Sequence, residues 1–262
     1  MINIAVRAAR SAGRILMRYY EHTESLQIDQ KSRNDFVSEV DRQAEQAIIH
    51  ELRSKFPSHA ILGEETGSHQ GDDFQWVIDP LDGTTNYLHG VPQFCVSIAL
   101  KYKGQLEHGL VYDPLREEMY TASRGDGARL NDRRLRVSQR LGLEGALLGT
   151  GIPFRDQRFM PEYLGMLEAL IKDTAGIRRP GSAALDFAYV AAGRTDGFWE
   201  LGLSQWDFAA GALLVREASG VVSDIAGGER FLETGNVVAG GLKVHGAILK
   251  EIRPFLSERL SA

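Results

Sequence analysis

The stretch Trp76-Val77-Ile78-Asp79-Pro80-Leu81-Asp82-Gly83-Thr84-Thr85-Asn86 decides how this chain is read. Its apolar start predicts a strand over 75–78. Pro80 cannot donate to a sheet ladder, so the strand is expected to stop there and the chain to turn through 80–83. That leaves Asp79 and Asp82 at the exposed end of a strand, beside a glycine that lets the backbone approach a ligand. Two carboxylates this close are hard to keep ionised unless positive charge sits between them. Hard cations such as Mg²⁺ take oxygen ligands, and the Leu81 carbonyl is placed to be one more. Thr84, Thr85 and Asn86 follow where a helix would begin, and free N–H groups at a helix start suit phosphate.

Further acids lie on either side. Upstream, Ile61-Leu62-Gly63-Glu64-Glu65 ends a second apolar run in glycine and carboxylates. Downstream, Gln205-Trp206-Asp207 puts an acid at the start of another helix. Each has a plainer reading when taken alone: an Asp-rich surface turn for 79–83, a solvated loop carboxylate for Glu64, and a helix N-cap for Asp207.

Hydrophobic spacing supplies the frame. Ile4, Ala8, Ala12, Ile15 and Tyr19 predict a first amphipathic helix, and Ala44, Ala47, Ile48 and Leu52 a second over 40–56, ahead of Pro57. Strands over 94–102, 106–112 and 119–122, with turns at Lys103-Gly104 and Asp113-Pro114, read as an antiparallel section. Beyond it come a strand over 146–150, helices over 161–172 and 183–192, a strand over 197–200, and a helix over 207–219 capped by Gly220. Such alternation implies an α/β architecture of layered sheets covered by helices. No repeat or linker interrupts it. The expectation is one domain over 1–262, its metal-site half about 1–140 and its substrate-wall half about 141–262.

Composition narrows the class. With 43% hydrophobic and 25% charged residues the chain is a globular protein, not a disordered or fibrous one. A formal charge of -5 gives no general attraction to nucleic acid or anionic membrane, so neither is expected as a partner. An acidic protein that handles an anionic substrate needs local cations. The single cysteine, Cys95, excludes an internal disulfide, fits a reducing compartment, and lies in an apolar run as a core residue would. No apolar stretch approaches the roughly 20 residues that span a bilayer, so the cytoplasm is the default location.

The motifs at 63–65 (GEE), 76–86 (WVIDPLDGTTN), 181–186 (GSAALD) and 206–211 (WDFAAG) resemble those of the inositol monophosphatase family, its bacterial members in particular, from about residue 4 to about 250. The resemblance implies an αβαβα sandwich shared with sugar bisphosphatases, a homodimer, and Li⁺-sensitive, Mg²⁺-dependent hydrolysis of inositol 1-phosphate and similar polyol phosphates. It implies two to three Mg²⁺ per site: Glu64, Asp79 and the Leu81 carbonyl on the first, Asp79, Asp82 and Asp207 on the second, and Glu64 reaching a third through water. Glu64 and Thr84, the latter bonded to Asp41, would orient the attacking water. The Gly83 and Thr84 backbone would hold the phosphate, Glu200 and Asp207 would accept from ring hydroxyls, Arg178, Gly181, Ser182 and Ala183 would line the other wall, and Leu81 and Asp82 would also contact the substrate. Arg179 would belong to the dimer interface, and Lys31 to a mobile loop closing on the metals. Related readings are a sugar bisphosphate or adenosine 3′,5′-bisphosphate phosphatase, and a regulatory protein on the same fold. The arginines of 131–136 with Arg140 would be the surface for the last of these, although they read more simply as a solvated face.

Overall fold

The computed structural model describes residues 1–20, 28–32, 35–154 and 156–261, with side chains described outside 28–38 and 261. In chain order the helices are α1 (Ile2–Tyr20), α2 (Glu39–Arg53), α3 (Thr84–Leu88), α4 (Met160–Ile171), α5 (Ala183–Ala191), α6 (Gln205–Glu217), α7 (Phe231–Thr234), α8 (Leu242–Ile252) and α9 (Glu258–Ser261). The strands are β1 (Ile28–Ser32), β2 (Asp35–Ser38), β3 (Ala60–Gly63), β4 (Gly67–His69), β5 (Phe74–Asp82), β6 (Cys95–Tyr102), β7 (Gln105–Asp113), β8 (Glu118–Ser123), β9 (Gly127–Leu130), β10 (Arg133–Arg134), β11 (Leu147–Thr150), β12 (Gly176–Arg178), β13 (Gly197–Glu200), β14 (Val221–Asp224) and β15 (Val237–Gly240). Lys31 lies in β1, and its side chain is outside the described residues.

Eight strands form one sheet in the order β10-β9-β8-β7-β6-β5-β3-β4, and five form a second in the order β12-β11-β13-β15-β14. The pair α1 and α2 covers one face of the large sheet, and α5 and α6 fill the space between the sheets. The outer face of the small sheet carries α8, with α4 packed against that helix. This is the αβαβα sandwich expected. Packing follows side-chain size: α1 turns Ala5, Ala8, Ala9, Ala12 and Leu16 inward, small residues that admit α2 closely, while Ile4, Ile15 and Tyr19 sit at the edge of that face. The apolar layer between the sheets gathers Phe187, Phe198, Phe208 and Val215 at essentially no exposure.

Two local expectations are corrected. The strand β5 does not stop at Pro80; it continues to Asp82, because its pairing with β6 slips by one residue between Asp79↔Ser97 and Asp82↔Cys95. Proline sits in that irregularity, where the ladder asks nothing of its missing N–H. Nor is Gly220 the left-handed residue ending α6. Ser219 takes that conformation at φ 68°, and Gly220 is needed for space, since a Cβ there would run into Val215 and Val137. Its N–H still closes the helix on the Val215 carbonyl at 2.9 Å.

Candidate active site

The slip in β5 aims the two aspartates. Asp79 Oδ1 accepts from the Leu81 N–H at 2.9 Å, a local turn that holds the carboxylate at the strand end. Gly83 then takes φ 97°, and a Cβ on it would press on the Gln93 carbonyl, so the step into α3 requires glycine. Asn86, in α3, donates to the carbonyls of Gln93 and Pro180, each at 2.8 Å, tying this turn to the loop before α5. Thr84 Oγ1 reaches Asp41 Oδ1 at 3.2 Å and the Leu81 carbonyl at 3.0 Å. Asp41 is fully buried in the first turn of α2.

Glu64 arrives from the neighbouring strand: the β3 register beside β5 sets Gly63 opposite Ile78, and the Glu64 N–H donates to the Ile78 carbonyl at 3.1 Å. Its carboxyl meets that of Asp79 in a hydrogen bond. Asp207 comes from α6, which starts two residues earlier than the sequence suggested. It is therefore a first-turn acid whose Oδ2 accepts from the Ser204 N–H at 2.6 Å, closing a capping box. Asp82 Oδ2 accepts from Ser182 Oγ at 2.6 Å and from the Ala184 N–H at 2.7 Å.

These residues share one cavity of about 560 Å³. Its lining includes Glu64, Asp79, Leu81, Asp82, Gly83, Thr84, Gly181, Ser182, Ala183, Glu200 and Asp207. Asp41 stands behind Thr84, and Arg178 is absent from the lining. Strand β12 ends at Arg178, which is exposed, and Arg179, just past the strand, reaches the cavity, its guanidinium 4.6 Å from the Phe154 ring centre. Arg179 is the only cationic side chain lining the cavity among the described residues. On the far wall Gly151 carries no Cβ, because one would fall on the Glu200 carboxylate. Gly151→Ala should therefore displace Glu200. For the polyol phosphate that the motif resemblance implies as substrate, the expected result is a KM raised about tenfold or more, the size of one charged hydrogen bond, with a smaller change in kcat on a steady-state assay.

Electrostatics mark the same spot. Burial, then the Glu64, Asp82 and Asp207 carboxylates, push Asp79 well above the usual carboxylate range. Burial pushes Asp82 up to about 6 against the pull of its hydrogen bonds from Ser182 and Ala184. No three His, Cys, Asp or Glu side chains among the described residues close around a single point. Glu64, Asp79, Asp82 and Asp207 nevertheless line one cavity, and Glu64, Asp82 and Asp207 all bear on Asp79. Four carboxylates and a backbone carbonyl make an all-oxygen donor set, which fits Mg²⁺ and does not suit a soft metal.

A model of the inositol monophosphatase family matches residues 1–256. The chain belongs to the inositol monophosphatase family. Among its relatives the Nus factor SuhB of Pseudomonas aeruginosa is 59% identical, the match covering 99% of this chain and 98% of that protein. The Nus factor SuhB of Escherichia coli K12 is 52% identical over 99% and 98%. In structure, the extragenic suppressor protein suhB of Bartonella henselae matches with a TM-score of 0.93 at 45% identity, over 96% of this chain and 98% of that one. The IMPase of Thermotoga maritima matches with a TM-score of 0.89 at 34% identity, over 98% of each chain.

In this member of the family two buried acids, Glu45 and Asp186, stand at the site without a role assigned from the sequence. Glu45, fully buried on α2, accepts from the Glu65 N–H at 3.1 Å and so shapes the turn carrying Glu64; a Cβ on Gly63 would strike its carboxylate. The signal was an acid on the apolar face of α2, between Ala44 and Ile48. Asp186, in the first turn of α5, lines the cavity at 3% exposure, and its Oδ1 has no hydrogen-bond partner. Burial, then Glu200 and Asp82, push it well above the usual range.

Proposed function

We propose that this chain is a Mg²⁺-dependent phosphomonoesterase that hydrolyses myo-inositol 1-phosphate and similar polyol phosphates to polyol and inorganic phosphate, through an activated water and without a covalent phosphoenzyme. The observation that carries the reading is the meeting of Glu64 and Asp79 in a cavity shared with Asp82 and Asp207, next to the Gly83-Thr84 backbone. Glu64, Asp79 and the Leu81 carbonyl would hold one ion, and Asp79, Asp82 and Asp207 a second. When bound, such ions offset the charge of the phosphate dianion and lower the pKa of a water.

The chain's own groups supply the rest. The Thr84 hydroxyl has one proton, and with it engaged by the buried Asp41 or the Leu81 carbonyl its oxygen lone pairs are left to accept from the attacking water. That fixes the water's own lone pair toward phosphorus, a positioning effect. The Gly83 and Thr84 N–H groups would bind the non-bridging phosphate oxygens. Glu200, Gly181 and Ala183 line the wall where a polyol ring would sit, with Arg179, not Arg178, as the cation of that wall. The acidic wall and modest volume favour a small polyol over an adenosine bisphosphate. The homodimer belongs to this reading as the working form. The cytoplasm is kept as the proposed location, and among the described residues no helix is long and apolar enough to cross a membrane.

The test is hydrolysis of inositol 1-phosphate, glycerol 2-phosphate, fructose 1,6-bisphosphate and adenosine 3′,5′-bisphosphate, with Mg²⁺ and with EDTA. Preference for the first two, lost in EDTA, is expected. Turnover indifferent to EDTA would refute the metal-dependent reading, and a preference for either bisphosphate would move the assignment to that substrate.

The Nus-factor name of the SuhB relatives favours a second reading, a regulatory role exerted through contacts on the same fold, and it leaves the expected indifference to nucleic acid without support. The exposed Arg133, Arg134 and Arg136, on and beside the edge strand β10, are the surface for such contacts. Salt-dependent RNA binding that disappears when these arginines become alanine would support it.

A further inference from the structure

Ser182 precedes α5 in the N-cap position, yet its side chain makes no capping hydrogen bond. It is 1% exposed, and its hydroxyl lies 2.6 Å from Asp82 Oδ2, a residue 100 positions away. The Ala184 N–H donates to the same oxygen at 2.7 Å. Behind them lies Cys95, fully buried, its Sγ 3.6 Å from Ser182 Oγ and 3.8 Å from Asp82 Oδ2. The carboxylate of Asp82 thus takes the place at the start of α5 that a capping side chain would otherwise fill. A hydroxyl whose proton is engaged, walled in by a thiol and a helix turn, has little to offer a substrate.

We infer that Ser182 is a positioning residue, which fixes the rotation of the Asp82 carboxylate by holding Oδ2 against the α5 start and so leaves Oδ1 as the oxygen presented to a divalent cation. The inference rests on the phosphatase reading above and deepens it: Ser182, expected at the substrate wall, acts through Asp82. It also links the two sheets at the site, since Asp82 ends β5 of the large sheet and Ser182 opens the helix lying against the small one. Groups that orient a metal ligand through a hydrogen bond are worth about 10–100-fold in metal affinity or activity.

The experiment compares wild type, Ser182→Ala and Ser182→Thr in the full chain. Mn²⁺ binding is measured by electron paramagnetic resonance without turnover, and KM and kcat for inositol 1-phosphate at saturating Mg²⁺. Ser182→Ala should weaken Mn²⁺ binding by about 10–100-fold and raise the Mg²⁺ concentration for half-maximal rate in step, with KM within about twofold of wild type. Ser182→Thr, which keeps the donor, should recover most of the affinity. Unchanged Mn²⁺ affinity in the alanine variant, or a KM raised while metal binding holds, overturns this inference alone. A wild type that binds no Mn²⁺ overturns the phosphatase reading and this inference with it.

Discussion

Asp82→Asn is expected to lower Mg²⁺-dependent hydrolysis of inositol 1-phosphate by on the order of a thousandfold or more, while the metal-free protein melts at a higher temperature than wild type. The first half follows from removing a charged ligand at the reacting centre, where losing even one neutral donor costs about 10²–10³-fold. The second follows from crowding. Asp82 is penalised in its charged form first by burial and then by the Glu64 carboxylate in the same cavity. Asparagine keeps an oxygen for the Ser182 hydroxyl and the Ala184 N–H, so the local fold stands while one negative charge leaves. A loss of activity with a gain of thermal stability separates a functional carboxylate from a structural one. Circular dichroism melts in EDTA, beside a phosphate-release assay, read both. Near wild-type turnover in this variant would contradict the assignment.

The second large effect concerns pH. Asp79, Asp82 and Asp186 all bind their protons more tightly in the folded chain than an exposed aspartate does. Between the ordinary aspartate value of about 4 and the raised values, the folded state therefore carries more protons than the unfolded one. Stability of the metal-free protein is then full below about pH 4 on account of these groups, and it is lost as pH rises through about 6, where Asp82 titrates. Other groups that lose their pairing in acid act in the opposite sense, so the clearest window runs from about pH 5 to 7. The Asp82 contribution is at most about 3 kcal/mol, less for screening by water in the cavity, and 1 kcal/mol is about 2–4 °C in a chain of this size. We expect the melting temperature in EDTA to fall by several degrees across that window, and saturating Mg²⁺ to remove most of the fall by pairing the carboxylates. A melting temperature that rises from pH 5 to 7 in EDTA, or the same profile with Mg²⁺, would contradict this.

The layered α/β fold could be read from the sequence because its signals are local. Alternating apolar runs and the turn at Lys103-Gly104, both residues at positive φ, mark the antiparallel strands without knowledge of what packs on them. Asp79 and Asp82 were visible for the same reason, as two acids within four residues at a proline-glycine step. Details set by tertiary contact were not. Whether Pro80 ends β5 depends on how β6 pairs with it, and whether Arg178 or Arg179 faces the cavity depends on where β12 stops and how the chain turns after it. Ser182 looked like a hydroxyl for the substrate until its partner across 100 residues was known. Glu45 and Asp186, the latter inside a quoted motif, were given no role because a buried acid on a helix looks like any other until the turn or cavity beside it is assembled.

Calorimetric titration of Mg²⁺ into the wild type and into Asp79→Asn tests the central claim most directly, since Asp79 is the carboxylate assigned to both principal ions. At least two ions per chain in the wild type, with that binding lost in the variant although it stays folded, is the predicted outcome. Mg²⁺ binding that is absent from the wild type, or undiminished in Asp79→Asn, would contradict the account.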